Sequence, residues 1–100
     1  GGRFDLPFAI VILAASDQLD GSRLKQFEFV GELALTGELR GVHGVIPAIL
    51  AAQKAKRAPI IAYQNANEAS LVSEQETYFA KNLLEVVQFL NNQEKLPLAS

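Results

Sequence analysis

The hydrophobic pattern begins with an apolar run from Phe8 to Ala15. Asp5 and Pro7 precede this run as a capping residue and a first-turn proline, so the pattern predicts a helix that starts at Asp5. Because the run is apolar on every side, we expect the helix to be buried all round. Its β-branched content leaves a strand of the same length as the alternative.

Alternating positions then predict a strand. After a loop at 20–22 and a short turn over Arg23–Gln26, apolar and other residues alternate from Phe27 to Leu35. In this interpretation one face of the strand carries Phe29, Gly31, Leu33 and Leu35.

A hairpin follows, because Thr36-Gly37 is a turn signal and residues 38–42 return as the second arm. A plain two-residue turn would place Leu39 opposite Ala34. A bulge at Gly37 would shift that register by one residue, and the sequence leaves both registers open.

The second half of the chain alternates helices with strands. Asn65 and Asn82 each have a glutamate three residues later, which is the spacing of a capping box at a helix start. The predicted elements are a helix over Val45–Ala55, a buried parallel strand over Pro59–Tyr63, a helix from Asn65 to about Ser73, a strand over Thr77–Ala80 and a helix from Asn82 to about Asn91. In the first of these helices the predicted inner stripe consists of Val45, Ile46, Ile49, Leu50 and Ala52.

This order of elements predicts a mixed α/β (α+β) domain, in which helices pack on a small sheet with a β-hairpin. We expect residues 1–94 to form that domain and residues 95–100 to begin a linker. With 100 residues, 49% of them hydrophobic, the chain has enough apolar material for one core.

Charge and cysteine content narrow the function classes. The formal charge of −2 provides no overall positive field for a phosphate backbone, so any nucleic-acid contact needs a local patch. No cysteine is present for a disulfide or a thiol nucleophile, and no apolar run is long enough to span a bilayer. We therefore expect a cytoplasmic protein without a membrane partner.

The side chains that could take part in catalysis or binding show no sequence motif of a catalytic, cofactor-binding or metal-binding site. His43 is the only histidine and has no visible nucleophile or ligand companions, so a turn role is favoured. Neither GxxxxGK[ST] nor GxGxxG occurs, which argues against a phosphate loop. Two charged clusters are each interpreted as structural, with a functional alternative. The acidic cluster is a solvated face or, alternatively, a magnesium site, and consists of Glu28, Glu32 and Glu38. The basic cluster is a helix terminus or, alternatively, a nucleic-acid contact, and consists of Lys54, Lys56 and Arg57.

Four short motifs then resemble one family. Residues 4–9 read FDLPFA against FDLPIA, and residues 29–40 read FVGELALTGELR against FLGELSLDGxLR. Residues 44–48, GVIPA, with the Ala51-Ala52 pair resemble GVLPA and AA, and residues 65–69, NANEA, resemble NAxEA. This series resembles the magnesium-chelatase-like AAA+ ATPases, the ComM/YifB family.

The resemblance implies a place within a longer protein. It implies an amino-terminal domain similar in fold to the proteolytic domain of Lon and the second domain of ribosomal protein S5, with strands before Gly1 and a AAA+ module afterwards. That module would bind ATP and Mg²⁺ and form a hexameric ring. The whole protein would be an ATP-dependent motor for DNA branch migration in natural transformation, whereas this chain itself would hold no cofactor.

The resemblance also bears on catalysis. It aligns the serine of Lon-type peptidases near Phe4 or Asp5, and their lysine near Ile46. Phenylalanine and isoleucine have no transferable proton, and an aspartate beside isoleucine has no amine partner. The expected function is therefore a non-catalytic accessory domain. The alternatives are a divergent hydrolase that uses Asp5 or His43, or a free-standing binding module.

Overall fold

A parallel sheet of three strands forms the centre of the molecule. The computed structural model describes residues 1–72 and 76–99. In chain order the elements are α1 (Asp5–Ala15), a 3₁₀ turn (Leu24–Gln26), β1 (Phe27–Val30), β2 (Glu32–Leu33), β3 (Leu39–Arg40), α2 (Val45–Lys54), β4 (Ala58–Ala62), a 3₁₀ turn (Tyr63–Asn65), α3 (Ala66–Ala69), β5 (Tyr78–Ala80) and α4 (Leu83–Leu90). The predicted mixed α/β class, with a small sheet and a hairpin, is confirmed.

β4 is the middle strand, with β1 and β5 parallel to it on either side. Residues 59–62 of β4 are buried, so the prediction of a buried parallel strand here is confirmed. Ile60 belongs to a core cluster with residues of α1 and α4, whereas Ile61 belongs to a second cluster with residues of α2 and α3. The sheet therefore has helices on both faces.

The strand predicted over Phe27–Leu35 is interrupted at Gly31. β1 ends at Val30 in the parallel sheet, and β2 begins at Glu32 in a separate two-stranded sheet. A Cβ atom at Gly31 would lie 2.9 Å from Leu39 Cδ2, so the chain turns where only glycine allows such a close approach. The prediction that Leu35 shares a face with Phe29 is wrong, since Leu35 is fully exposed in the hairpin loop.

The hairpin of β2 and β3 has the bulged register. Leu33 lies opposite Leu39, and Glu32 lies opposite Arg40, which is one residue from the register of a plain two-residue turn. Gly37 has a φ of 89° at the last loop position, the left-handed conformation that a glycine bulge requires. The hairpin is confirmed, although its second strand is shorter than the predicted 38–42.

Backbone hydrogen bonds join the hairpin to the junction between β5 and α4. The Leu39 N–H donates to the Lys81 carbonyl at 2.8 Å, and the Leu83 N–H donates to the Gly37 carbonyl at 2.9 Å. Glu38 also forms an isolated antiparallel bridge with Asn82. The hairpin is thus fixed to a segment more than forty residues later in the chain.

α1 is a helix from Asp5 to Ala15, as predicted, but the prediction that it is buried all round is wrong. Only Leu6 and Ile10 are buried, because the sheet covers a single face of the helix. Asp5 is also not the cap; Phe4 holds that position and makes no side-chain capping bond. Within residues 1–72 and 76–99, no helix is long and apolar enough to cross a bilayer.

The two predicted capping boxes have different outcomes. Asn82 Oδ1 accepts the Glu85 N–H at 2.9 Å, which confirms the cap of α4. Asn65 makes no capping bond, and its side chain binds the backbone of Val42 instead. The prediction of a capping box at Asn65 is therefore wrong.

The remaining boundaries differ from the predictions by one or a few residues. In α2 the predicted inner stripe is confirmed for Val45, Ile49 and Ala52, whereas Ile46 is partly buried and the prediction is wrong for Leu50, which is 49% exposed. α3 is shorter than the helix predicted to Ser73, a residue that lies outside the described part of the chain. Near the end of the chain, Leu96 is buried and Leu98 pairs with Tyr78 along the outer edge of β5.

Candidate functional site

Asp5 holds two backbone segments together. Its Oδ2 atom accepts the N–H of Gly2 at 3.0 Å and the N–H of Leu33 at 3.1 Å. The hydrogen bond from Gly2, and then the one from Leu33, lowers the pKa of Asp5 below the ordinary value of an aspartate. The carboxylate is therefore a poor proton acceptor at neutral pH, and its geometry is that of a structural clamp.

His43 lies in the tight passage between the hairpin and α2, and Ile46 lies in the first turn of α2. His43 is exposed, and its contact with Arg3 is made by its backbone carbonyl, which accepts from Arg3 Nη2. Gly44 has a φ of 72°, so the chain enters α2 through a left-handed residue. Ile46 packs against the core cluster formed with α2 and α3. No proton-transfer pair is formed by these side chains.

Two amide side chains fix the same passage. Asn65 Oδ1 accepts the Val42 N–H at 2.9 Å, and Asn65 Nδ2 donates to the Val42 carbonyl at 3.1 Å. Gln64 Oε1 accepts the Gly41 N–H at 2.8 Å. These bonds satisfy backbone groups that have no strand partner, so the polar groups of this corner serve the fold.

The acidic residues of β1 and the hairpin do not form one cluster, because Gly31 separates their sheets. Glu28 forms an ion pair with Arg57 at 3.2 Å, and Glu38 lies at the Asn82 bridge. In the part of the chain that the structure describes, no group of three or more histidine, cysteine or acidic residues could hold a metal ion.

An apolar surface covers the outer side of α1. We call it the α1 outer face, and it consists of Phe4, Phe8, Val11 and Ile12, which are 75%, 71%, 58% and 57% exposed. Residues at this spacing lie on one side of a helix. A groove of about 250 Å³ beside it contains Phe4 and Phe29. β1 also has no strand partner on its outer edge among the described residues.

A second surface lies at the amino-terminal ends of the three parallel strands. We call it the amino-edge recess, a cavity of about 460 Å³. It is lined by Arg23, Gln26, Phe27, Lys56, Arg57, Ala58, Glu76 and Tyr78. Three of these side chains are cationic and one is a carboxylate, which gives the recess a positive character.

The cations of the recess are held in different ways. Arg23 Nη2 donates to the Phe89 carbonyl at 2.8 Å, and the guanidinium carbon lies 5.7 Å from the ring centroid of Phe27. Arg57 is paired with Glu28. Lys56 follows the end of α2 with a φ of 60°, a left-handed conformation that lysine rarely adopts.

Aromatic rings form the floor of the recess. Tyr78 packs against Phe27 and Phe89 with ring centroids 6.0 and 4.9 Å away. The Tyr78 hydroxyl donates to Glu76 Oε2 at 2.7 Å. Burial, and then the contact with the Glu76 carboxylate, raises the pKa of Tyr78 to about 12. Tyr78 therefore remains a neutral hydrogen-bonding side chain at physiological pH.

A third cavity lies at the opposite, carboxyl-terminal ends of β4 and β5, and we call it the carboxyl-edge cavity. Its volume is also about 460 Å³. The Lys81 ammonium lies 5.1 Å from the ring centroid of Tyr63 there. The side-chain oxygens of Gln64 and Asn82 both accept backbone N–H groups, as described above. Most of its polar lining is thus engaged in holding the chain.

The sequence pattern predicts a basic cluster of Lys54, Lys56 and Arg57. It does not predict that Lys56 and Arg57 share a recess with Arg23, Phe27 and Tyr78. These residues come together because Phe27 lies beside Ala58 and Ile60 beside Tyr78 in the parallel register. The sequence does contain a sign of this recess, because two basic segments, 23–25 and 54–57, each come shortly before a strand. Only the order of the strands shows that the two segments are neighbours.

Comparison with known proteins adds a family match and several relatives. The model of the family described as subunit ChlI of Mg-chelatase matches residues 1–65. Competence protein ComM of Haemophilus influenzae is 83% identical over 100 residues, which is 100% of this chain and 20% of that protein. The proteins called uncharacterized protein YifB in Salmonella typhimurium and Escherichia coli are 48% and 46% identical, over 99% and 96% of this chain and 20% and 19% of their own lengths. The chain spans about a fifth of these relatives.

Proposed function

The chain belongs to the family of subunit ChlI of Mg-chelatase, and we propose that it serves as a non-catalytic accessory domain of a longer, magnesium-chelatase-like AAA+ ATPase. The proposed domain resembles the Lon proteolytic domain and the second domain of ribosomal protein S5. Its role is to dock on the remainder of that polypeptide. The motor chemistry belongs to the AAA+ module, which binds ATP and Mg²⁺.

The observation that carries this proposal is the α1 outer face. Four large apolar side chains on one helix are more than half exposed, next to a sheet edge whose backbone has no strand partner in the described residues. Large contiguous apolar patches and open strand edges mark surfaces that another protein segment covers. The proposed occupants are the strands before Gly1 at the β1 edge and other parts of the same polypeptide on α1.

The environment of Asp5 and Ile46 favours this role over a divergent hydrolase. Both backbone N–H contacts of Asp5 stabilise its charged form, which lowers its basicity. Ile46, in the first turn of α2, packs against the core, and the His43 contact with Arg3 uses the backbone. An activated nucleophile needs a basic partner within hydrogen-bond reach, and these three residues supply none to one another.

For the whole protein we propose a ring-forming, hexameric, cytoplasmic motor that drives branch migration of DNA. Support comes from the relative named competence protein and from the motifs shared with the magnesium-chelatase-like family. In this proposal the accessory domain positions neighbouring subunits or DNA relative to the ATPase ring.

The test is made in the full-length protein, with Phe8→Ser and Val11→Ser combined on the α1 outer face. We expect this variant to lose ring assembly or DNA-stimulated ATP hydrolysis by about tenfold or more, because burial of two large apolar side chains contributes several kcal/mol. Assembly is measured by analytical ultracentrifugation, and branch migration with a four-way DNA junction.

A matched control replaces Leu71 and Leu84 with serine, since these leucines are 76% and 63% exposed on other parts of the surface. The control is expected to assemble and hydrolyse ATP normally. If the α1 variant behaves like this control in assembly, ATP hydrolysis and branch migration, the accessory role is wrong.

A further inference from the structure

We propose that the amino-edge recess is a binding site for the phosphodiester backbone of a nucleic acid strand. This inference deepens the proposed function and rests on it, since it assigns the DNA contact of the accessory domain to one surface. It is argued from the distribution of charge, the strand register and the lining of the recess.

The charge of the chain is strongly segregated. Five of the nine basic residues lie in two short segments, 23–25 and 54–57. The rest of the chain holds four basic and eleven acidic residues, so its net charge is clearly negative. A nearly neutral total therefore conceals one basic surface on an otherwise acidic domain, and a polyanion would approach that surface first.

The parallel sheet is what joins the two segments. Segment 23–25 ends just before β1 and segment 54–57 just before β4, and the first residues of those strands, Phe27 and Ala58, are register partners. Side chains that precede neighbouring parallel strands meet at one edge of the sheet. Arg23 therefore lines the same recess as Lys56 and Arg57 although the two segments lie about thirty residues apart in sequence.

The backbone conformation of Lys56 brings a third cation to the recess. The Lys56 N–H donates to the Gln53 carbonyl at 3.0 Å, and the Arg57 N–H donates to the Ala52 carbonyl at 2.9 Å. These two bonds form the helix ending in which glycine is the usual left-handed residue. A lysine at this position costs backbone energy and adds a positive charge at the recess.

The lining fits a nucleic acid strand better than a small isolated anion. Lysine and arginine side chains neutralise successive phosphates, while exposed aromatic and amide groups contact sugars and bases. The recess combines three cations with the exposed amide of Gln26 and the half-buried ring of Tyr78, whereas the ring of Phe27 is buried. Its one carboxylate, Glu76, accepts from the Tyr78 hydroxyl, and Arg57 is paired with Glu28, which does not line the recess.

The experiment uses the full-length protein and fluorescent single-stranded and duplex oligonucleotides. The recess variant combines Lys56→Gln, which lies in the lining of the recess, with Lys25→Gln and Lys54→Gln, two exposed lysines of the same basic segments. The control combines Arg40→Gln, Lys81→Gln and Lys95→Gln, which are exposed elsewhere and give the same change in net charge. Arg23 is left unchanged because it caps α4.

We expect the recess variant to bind about tenfold or more weakly at low salt, and its slope of log affinity against log salt to fall by about 2 relative to the parent. The control is expected to lose much less of both. A larger loss for one oligonucleotide identifies the strand form that the recess prefers. Equal losses in the two variants would show that only overall charge matters, and would overturn the inference.

Ring assembly and basal ATP hydrolysis of the same variants separate this inference from the proposed function. If the recess variant assembles and binds DNA like the parent, the recess is not the DNA surface, yet the accessory role stands. If it loses assembly but keeps DNA affinity, the recess is a protein contact and the inference is wrong. The α1 variants described above test the accessory role independently.

Discussion

The two edges of the parallel sheet use their polar residues differently. At the carboxyl edge, Asn65, Gln64 and Asn82 direct their side-chain oxygens to backbone N–H groups. At the amino edge, Lys25, Lys54 and Lys56 are exposed. The contrast teaches that polar groups which replace missing backbone partners serve stability, whereas exposed charges gathered at an edge are available for a ligand.

The largest loss of stability is expected from Asn65→Ala at the carboxyl edge. The substitution removes both bonds to Val42 and should destabilise the chain by about 3 kcal/mol. The N–H and carbonyl of Val42 would stay partly buried without partners, so the cost of removing them from water would no longer be offset. Urea unfolding followed by circular dichroism measures the change. Asn67→Ala, at an exposed position in α3, is the control and should cost far less. Similar losses for the two variants would contradict the structural role of Asn65.

A smaller loss is expected from Asn82→Ala at the start of α4. Removal of an N-cap oxygen typically costs about 1 kcal/mol, and the Glu85 N–H would then depend on water. The same urea titration applies, with the exposed Gln93→Ala as control. A cost indistinguishable from that of the control would show that the cap contributes nothing measurable.

At the amino edge, a substitution of Lys56 should raise the stability of the chain, whereas the two asparagine substitutions lower it. Lys56→Gly relieves the left-handed conformation of a lysine and should stabilise the chain by up to about 1 kcal/mol, while nucleic acid affinity falls. Thermal unfolding and oligonucleotide titration measure the two effects.

Asn92→Gly is the matched control for this substitution. Asn92 has a φ of 58° and the same helix-ending hydrogen bonds after α4, but asparagine tolerates this conformation better than lysine. Its gain in stability should therefore be smaller, and DNA affinity should not change. A loss of stability in Lys56→Gly would contradict the idea that the lysine is kept at a cost.

The smallest expected effect is the contribution of the Asp5 carboxylate to stability, which depends on pH. Because the pKa of Asp5 is lower in the folded chain, its carboxylate contributes stability above about pH 3.8, and this contribution is lost as the pH falls through the folded pKa. The melting temperature of Asp5→Asn should be lower than that of the parent at pH 7, and the difference should shrink in acid. Asp17→Asn, at an exposed position, is the control; a difference that is constant with pH would contradict the clamp.

The secondary structure was largely predictable because most local signals agree with the final packing. The Asn82 cap, the Thr36-Gly37 turn and the apolar stripe of α2 act over a few residues, and the structure confirms the first two and most of the stripe. Asn65 had the same signal as Asn82, but a distant backbone segment without partners, at Val42, competes for its side chain. A local pattern cannot reveal that competition.

The surfaces were much less predictable, since they depend on which elements lie side by side. The apolar run of α1 predicted full burial, and nothing in that run shows that the sheet covers only one of its faces. In the same way, Arg23 joins Lys56 only through the pairing of β1 with β4. Sequence patterns identified the residue types of both surfaces, whereas their assembly is a property of the topology.

The hydrogen bonds between the hairpin and the β5–α4 junction have a consequence for cooperativity. The amides of Leu39 and Leu83 lie far apart in the chain, yet the Lys81 carbonyl protects the first and the Gly37 carbonyl protects the second. Both bonds break if either the hairpin or the β5–α4 junction opens alone. Native-state hydrogen exchange should therefore show both amides exchanging only in the largest opening reaction, so that the early hairpin and the late helix behave as one folding unit.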